Sequence, residues 1–359
     1  MSLSSRKIGN AHVHPIGFGA MGISAYYGKP EPDEERFKVL DAAYGSGCNH
    51  WDSANVYVST EALSFSSPYA FVSISYVADR YGDSEILIGK WFKKTGKRDK
   101  IFLTSKFGIT PQGPRGDPEF VKEECAKSLE RFGVSHIDLY YQHRPDPKVP
   151  IETTVGAMAE LVKEGKVKYL GLSECTADDL RRAHAVHPIS ALQVEYSPLV
   201  LDIESEQTKL LKTARELGVT IVAYSPLARG LITGQYKSPD DFEKDDFRRT
   251  IPKYQAENFP KILDVVDKIA KIGKKHNATP GQVTLAWILA QGDDIVVIPG
   301  TKKIKYVKEN MGAEDVKLSS EEIDAVRKIA VESDSEIPGA RYGEYGMQSV
   351  LISTPVLKK

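Results

Sequence analysis

The sequence predicts a (β/α)8 TIM barrel of the α/β class, on three observations. Eight short apolar runs alternate with helical patterns, the runs lack polar–apolar alternation, and no composition break divides them. Runs of that kind suit parallel strands buried on both faces. Eight strand–helix pairs also account for all 359 residues as one domain, 1–359. A doubly wound open sheet needs fewer strands and a natural domain break, and neither is present.

The elements follow in order. Arg6–Val13 reads as an N-terminal β-hairpin turning at Gly9-Asn10. A strand at Pro15–Gly19 leads through a glycine-rich turn to a helix at Glu34–Tyr44. Strand Asn49–Asp52 is followed, after a long gap, by helix Ser84–Lys94. Then come strand Ile101–Lys106 with helix Pro118–Phe132, strand Ile137–Gln142 with helix Ile151–Glu164, and strand Tyr169–Ser173 with helix Ala177–His184. Strand Ala191–Tyr196 precedes helix Glu204–Leu217. Strand Thr220–Ser225 precedes a long loop and two helices, Pro260–His276 and Thr279–Ala290. The last strand, Ile295–Pro299, leads to helices at Ile304–Met311 and Ser319–Ser333. The tail from Glu336 has no regular pattern and is expected to lie as a loop over one barrel end.

Composition narrows the function classes. A hydrophobic content of 41% with 27% charged residues is that of an ordinary globular protein. A net charge of −1 argues against a nucleic-acid partner held by general electrostatics. No apolar run approaches the roughly 18 residues of a membrane span, and Met1–Asn10 has no apolar segment of a secretory signal. Cys48, Cys125 and Cys175 are odd in number and widely spaced, as reduced thiols are. The expectation is a cytoplasmic protein acting on a small molecule, with no membrane or nucleic-acid partner. Oligomeric state is not readable.

In such a barrel the active site lies at the C-terminal ends of the strands. Strand 2 ends in Asp52 with Tyr57 five positions on, strand 3 in Lys106, and strand 4 in Gln142-His143-Arg144. Strand 5 ends in Ser173-Glu174, strand 6 carries Gln193, and strand 7 ends in Tyr224-Ser225. Each has an ordinary reading, the aspartate as a turn residue and the tyrosine as packing. Lys106 is harder to dismiss, because an ammonium at the end of a buried strand needs a partner and Asp52 is on the next strand. A phenol with an ordinary pKa of about 10 needs help to donate a proton at neutral pH. A nearby ammonium lowers that pKa, an aspartate keeps the ammonium charged, and a histidine can hydrogen-bond a carbonyl oxygen. Side chains cannot deliver hydride, so a nicotinamide cofactor is implied.

Several motifs then make the chain resemble the aldo-keto reductases over nearly its full length. They are Trp51–Tyr57, Thr104–Gly108, Asp138–His143, Gly165–Ser173, Gln193–Ser197, Ala223–Leu227 and Ile298–Lys302. Within the family the chain is most similar to the longer microbial and plant members that include pyridoxal reductases. The resemblance implies Tyr57 as proton donor, Lys106 and Asp52 as the pair that sets its pKa, and His143 orienting the carbonyl. It implies Ser173 and Gln193 on the nicotinamide carboxamide and Tyr224 under the ring. Glu174 stands where many members have Asn. Ser225 would also meet cofactor, as would Leu227 and Gly230 in a loop Leu227–Phe259 expected to fold over the pyrophosphate.

Gly17-Phe18-Gly19-Ala20-Met21-Gly22 matches the dinucleotide fingerprint, but the first acidic residues, Glu31 and Asp33, come too early for the ribose. It reads instead as the turn after strand 1, where Gly19, Ala20 and Met21 let backbone approach nicotinamide and substrate. The anion site is placed at the end of strand 8, on Gly300-Thr301-Lys302-Lys303 and the following helix N-terminus. By resemblance Thr301, Lys302 and Lys303 would bind the 2′-phosphate of NADP(H), with Glu309 and Asn310 on the adenine. The activity this implies is NADPH-dependent reduction of an aldehyde or ketone, with pyridoxal among the substrates. The alternative is an NADPH-binding regulatory subunit with little turnover. Tyr26-Tyr27 and Arg341-Tyr342 either line the substrate pocket or are plain packing.

Val58–Arg80 is atypical. It is a Ser-rich, nearly uncharged insertion between Tyr57 and the helix of strand 2, longer than unstructured βα loops usually are. Removing it with one flanking tyrosine restores the family pattern. It reads as a lid, a tolerated surface insertion, or sequence absent from the working protein. Tyr57 keeps the spacing to Asp52 and is preferred to Tyr81 as proton donor.

Overall fold

The chain opens with a hairpin, β1 (Arg6–Ile8) against β2 (Ala11–Val13), turning through Gly9 at φ 58°. Left-handed backbone at that corner is why a glycine stands there. The computed structural model describes residues 5–27, 29–56, 82–244 and 246–358. Tyr57, Tyr81 and the Val58–Arg80 insertion lie outside them.

The core is one eight-stranded, all-parallel sheet. Its strands, in spatial order, are β3 (Phe18–Gly19), β4 (His50–Asp52), β5 (Phe102–Phe107), β8 (Ile137–Gln142), β9 (Val167–Ser173), β10 (Ile189–Glu195), β11 (Thr220–Tyr224) and β12 (Ile295–Val297). Parallel bridges Ile16–Val297 and Gly19–Gly300 bring the first and last strands together and close the ring. The Gly17 amide donates to the Val297 carbonyl at 2.7 Å across that seam. A side chain at Gly19 would put its Cβ 2.7 Å from the Ile298 carbonyl oxygen, and one at Gly300 2.7 Å from that of Gly19. Closure therefore requires both glycines.

Around the ring stand α1 (Asp33–Gly45), α2 (Asp83–Thr95), α3 (Pro118–Phe132), α4 (Ile151–Lys163), α5 (Ala177–Val186), α6 (Leu210–Glu216), α7 (Phe259–Lys274), α8 (Pro280–Leu289), α9 (Ile304–Met311) and α10 (Ser320–Glu336). Their starts are set by local chemistry. Asp117 accepts from the Phe120 amide with Pro118 at the first helical position, and Thr279 and Ser319 form capping boxes with Gln282 and Glu322. Alternate strand residues feed two cores. Trp51, Trp91 and Trp287 are buried between sheet and helices. Phe102, Leu139, Tyr141, Val222 and Val296 fill the ring from inside, and Ile8 and Val13 of the hairpin plug its lower end.

The expected element order is found, with local corrections. The helix expected over Glu204–Leu217 is only α6. Ser205 and Thr208 hydrogen-bond each other and nearby backbone, and Lys209 turns left-handed at φ 50°. Such side chains compete with helical hydrogen bonds. The strand expected at Pro15–Gly19 is reduced to β3. The tail is not wholly irregular, for α10 runs to Glu336 and a single turn, α11 (Glu344–Met347), follows. A short antiparallel pair, β6 (Ile109–Thr110) with β7 (Gly113–Pro114), follows β5. The Leu227–Phe259 loop is a chain of short 3₁₀ turns. The residues flanking the insertion are tied down. Ser53 Oγ and Ser84 Oγ lie 2.7 Å apart, Asn55 donates to Glu124 at 2.6 Å, and buried Glu85 accepts from Arg131 at 2.6 Å. Among the described residues no helix is long and apolar enough to cross a membrane.

Candidate active site

Three neighbouring strand ends build the reactive centre. β4 ends in Asp52, β5 carries Lys106, and His143 follows β8. Register pairs Asp52 with Thr104, one inward-facing position before Lys106, so the ammonium reaches back to the carboxylate. Lys106 is fully buried. Its Nζ donates to Asp52 Oδ1 and, at 2.8 Å, to the Ser53 carbonyl. The other carboxylate oxygen accepts from Gln193 Nε2 at 2.9 Å. Burial lowers the Lys106 pKa, and the charge of Asp52 opposes that shift. Burial also holds the His143 pKa well below the usual histidine range, helped by the cations Arg144 and Lys106. His143 is thus a neutral imidazole at physiological pH.

A cleft of about 960 Å³ opens over these strand ends. Asp52, His143, Ser173, Gln193 and Tyr224 form its floor. Gly19 and Met21 line one side, Ser225, Leu227 and Gly230 another, and Thr301, Lys302, Lys303, Glu309 and Asn310 the far end. Most of the residues expected on a cofactor therefore share one concavity. Lys302 Nζ donates to the Tyr27 carbonyl, and Thr301 Oγ1 accepts from the Lys303 amide at 3.1 Å. A hydroxyl, two ammonium groups and the start of α9 at Ile304 stand together there, a donor set suited to phosphate.

Two expected cofactor residues do not line the cleft. Ala20 is buried in the strand turn, its amide donating to the Asp52 carbonyl at 2.8 Å. Glu174 lies beneath the floor with φ 55°. It accepts from Tyr224 Oη at 2.8 Å and from Arg341 at 3.0 and 2.7 Å. Burial alone would raise its pKa, but the Arg341 guanidinium brings it down to about 2. In place of an amide against a carboxamide, Glu174 is a permanent anion clamping Tyr224 to the C-terminal tail. Burial and the Glu174 charge push the Tyr224 phenol well above its ordinary pKa, so it stays protonated. Tyr342 Oη completes the clamp, 2.8 Å from Tyr224 Oη. Of the pairs Tyr26-Tyr27 and Arg341-Tyr342, read either way, Tyr26, Tyr27 and Tyr342 line the cleft and Arg341 does not.

Other cleft residues had no place in the sequence reading. The β6–β7 turn contributes Ile109 to Pro114 as one wall. Its Thr-Pro-Gln-Gly-Pro composition marks a turn, but nothing in it says which way the turn leans. Arg248 ties the long loop together, pairing with Asp246 at 2.6 Å and donating to the Arg229 carbonyl at 3.0 Å.

A buried lysine–aspartate pair beside a neutral histidine, at the mouth of a closed parallel barrel, defines a centre suited to polarising a carbonyl. The aldo/keto reductase family profile matches residues 15–331, and the chain belongs to that family. It is 66% identical to aldo-keto reductase str7 of Strobilurus tenacellus, over 99% of both chains. It is 45% identical to aldo-keto reductase yakc [NADP(+)] of Schizosaccharomyces pombe, over 100% of both. Among solved structures it resembles glycerol dehydrogenase AKR11B4 from Gluconobacter oxydans, with a TM-score of 0.76 and 25% identity over 93% of this chain and 97% of that one. It also resembles the thermostable aldo-keto reductase Tm1743 solved with the inhibitor epalrestat, with a TM-score of 0.68 and 28% identity over 92% and 99%.

Proposed function

We propose that this protein reduces an aldehyde or ketone to the alcohol with NADPH. The observation that carries the reading is the buried Lys106–Asp52 pair, set at the same strand-end floor as the neutral His143. When bound, NADPH supplies the hydride. Ser173, Gln193 and Tyr224 would hold its nicotinamide, and Thr301, Lys302 and Lys303 its 2′-phosphate. The yakc relative, whose name carries NADP(+), supports that choice of cofactor.

The protein's own groups manage the proton. His143, being neutral, can donate a hydrogen bond to the carbonyl oxygen and fix its direction without carrying charge. Tyr57 is assigned as proton donor on its spacing from Asp52. A neighbouring ammonium favours the phenolate, and Asp52 keeps Lys106 charged and in place while Gln193 holds the aspartate.

The test is Tyr57→Phe. Aldehyde-dependent NADPH oxidation should fall by about 10² or more while NADPH binding is nearly unchanged. Near-normal reduction by that variant would overturn the assignment. Pyridoxal belongs in the substrate panel, with NADPH and NADH compared. Single-turnover oxidation of bound NADPH separates an enzyme from a regulatory subunit that merely holds the cofactor.

A further inference from the structure

We propose that the carbonyl substrate carries an anionic group, a carboxylate or a phosphate, and that Arg144 binds it. The proposal rests on the reductase reading above and adds to it a substrate class.

Arg144 follows His143 at the end of β8, lines the cleft and is 9% exposed. Its guanidinium meets only neutral groups. Nη1 donates to the His143 carbonyl at 2.8 Å and to Ser173 Oγ at 3.4 Å, and Nη2 to Tyr342 Oη at 3.4 Å. The Tyr342 ring centroid is 5.9 Å away. Among the described residues no carboxylate oxygen lies within the 4.0 Å of an ion pair.

Every other buried arginine among the described residues has such a partner. Arg6 pairs with Asp293, Arg36 with Asp33 and Asp83, Arg229 with Glu195, Arg248 with Asp246, and Arg341 with Glu174. That is the normal condition, since a buried charge without its counterion costs several kcal/mol. The nearby carboxylates make their contacts elsewhere. Asp52 serves Lys106 and Gln193, Glu174 serves Arg341 and Tyr224, and Glu195 serves Arg229 and Arg341. Arg341 is also held by Asp202 at 3.0 Å, and Arg144 alone among the described buried arginines has no carboxylate in contact.

Topology says where the missing anion comes from. β8 and β12 stand four strands apart in an eight-strand ring, on opposite sides of the mouth. The cofactor's phosphates, assigned to the β12 side, are therefore far from Arg144. What faces Arg144 is the group attached to the carbonyl that His143 orients. Its two contacts at 3.4 Å are loose, so the planar N–H fork can turn to a two-oxygen acceptor, and carboxylate and phosphate both present one.

Two matched pairs test this, butanal against succinic semialdehyde and pyridoxal against pyridoxal 5′-phosphate, in the intact protein and in Arg144→Gln and Arg144→Lys. The intact protein should favour the charged member of at least one pair by about tenfold or more in kcat/KM, mostly through KM. The favoured pair tells carboxylate from phosphate. Arg144→Gln should bring the ratio near one, and Arg144→Lys should retain part of it. Equal kcat/KM within both pairs, or a ratio unmoved by Arg144→Gln, overturns the proposal. So does a change confined to KM for NADPH, which would put Arg144 on the nicotinamide. Titrating the NADPH-bound protein with succinate and with neutral butyramide reads the same site without turnover. Tighter succinate binding that Arg144→Gln abolishes supports the proposal even if no aldehyde is reduced, and equal binding of the two sinks it.

Discussion

His50 and His143 face the interior from β4 and the end of β8, and burial keeps both neutral. Neither ring nitrogen of His50 has a hydrogen-bond partner among the described residues, and burial brings its pKa down to about 4 from an ordinary 6.5. The sign follows from proton counting. Between those values the unfolded chain binds the proton and the folded one does not, so stability falls as pH falls. From pH about 7 to 5 the cost through His50 is about 2 kcal/mol. His143 is shifted the same way. His50→Leu should therefore shrink, not abolish, the loss of Tm between those pH values. An unchanged acid loss in a thermal-melt series would show that His50 is not the group responsible.

Glu174 and Arg341 lie 167 residues apart in sequence, yet their pairing fastens the tail segment between α10 and α11 beneath β11. Removing one partner strands a buried charge, worth about 3–5 kcal/mol. Arg341→Met should accordingly lower Tm by about 4–7 °C and weaken NADPH binding, because Tyr224 loses its clamp. Adding Glu174→Gln should recover part of the loss, and a purely additive double variant would speak against the pair. This contact also marks where reading the sequence stopped. The order of strands and helices was visible because buried parallel strands and amphipathic helices leave local patterns. Asp52, Lys106 and His143 were visible because polar groups at the ends of apolar strands are conspicuous. Glu174 was expected on the cofactor from the family resemblance, and the tertiary arrival of Arg341 holds it beneath the floor instead. Arg144 was visible too, but that it lacks a counterion is a property of everything around it. The break before α6 was hidden for a different reason. Ser205 and Thr208 are tolerable in a helix until their side chains find better partners outside it.

The cleft joins both ends of the chain's pattern, from the turn after β3 to the start of α9. A ligand that binds only the folded state raises its stability by mass action, by about 2.7 kcal/mol at a hundredfold excess over Kd. NADPH at that excess should raise Tm by about 3–4 °C. Lys302→Met should reduce that gain for NADPH and leave it nearly intact for NADH, as read in parallel thermal melts. Equal loss for both cofactors would move the 2′-phosphate site elsewhere.

The ring is not stitched evenly. β10 and β11 share five register pairs, whereas β3 and β12 meet through two isolated bridges between segments that tolerate no side chain at Gly19 or Gly300. β3 is lightly held on its other side as well, sharing only two register pairs with β4, so the ring is thinnest around β3. Gly19 and Thr301 border the cleft on either side of that seam, so a dinucleotide seated there would bridge the two segments that the sheet itself joins most sparsely.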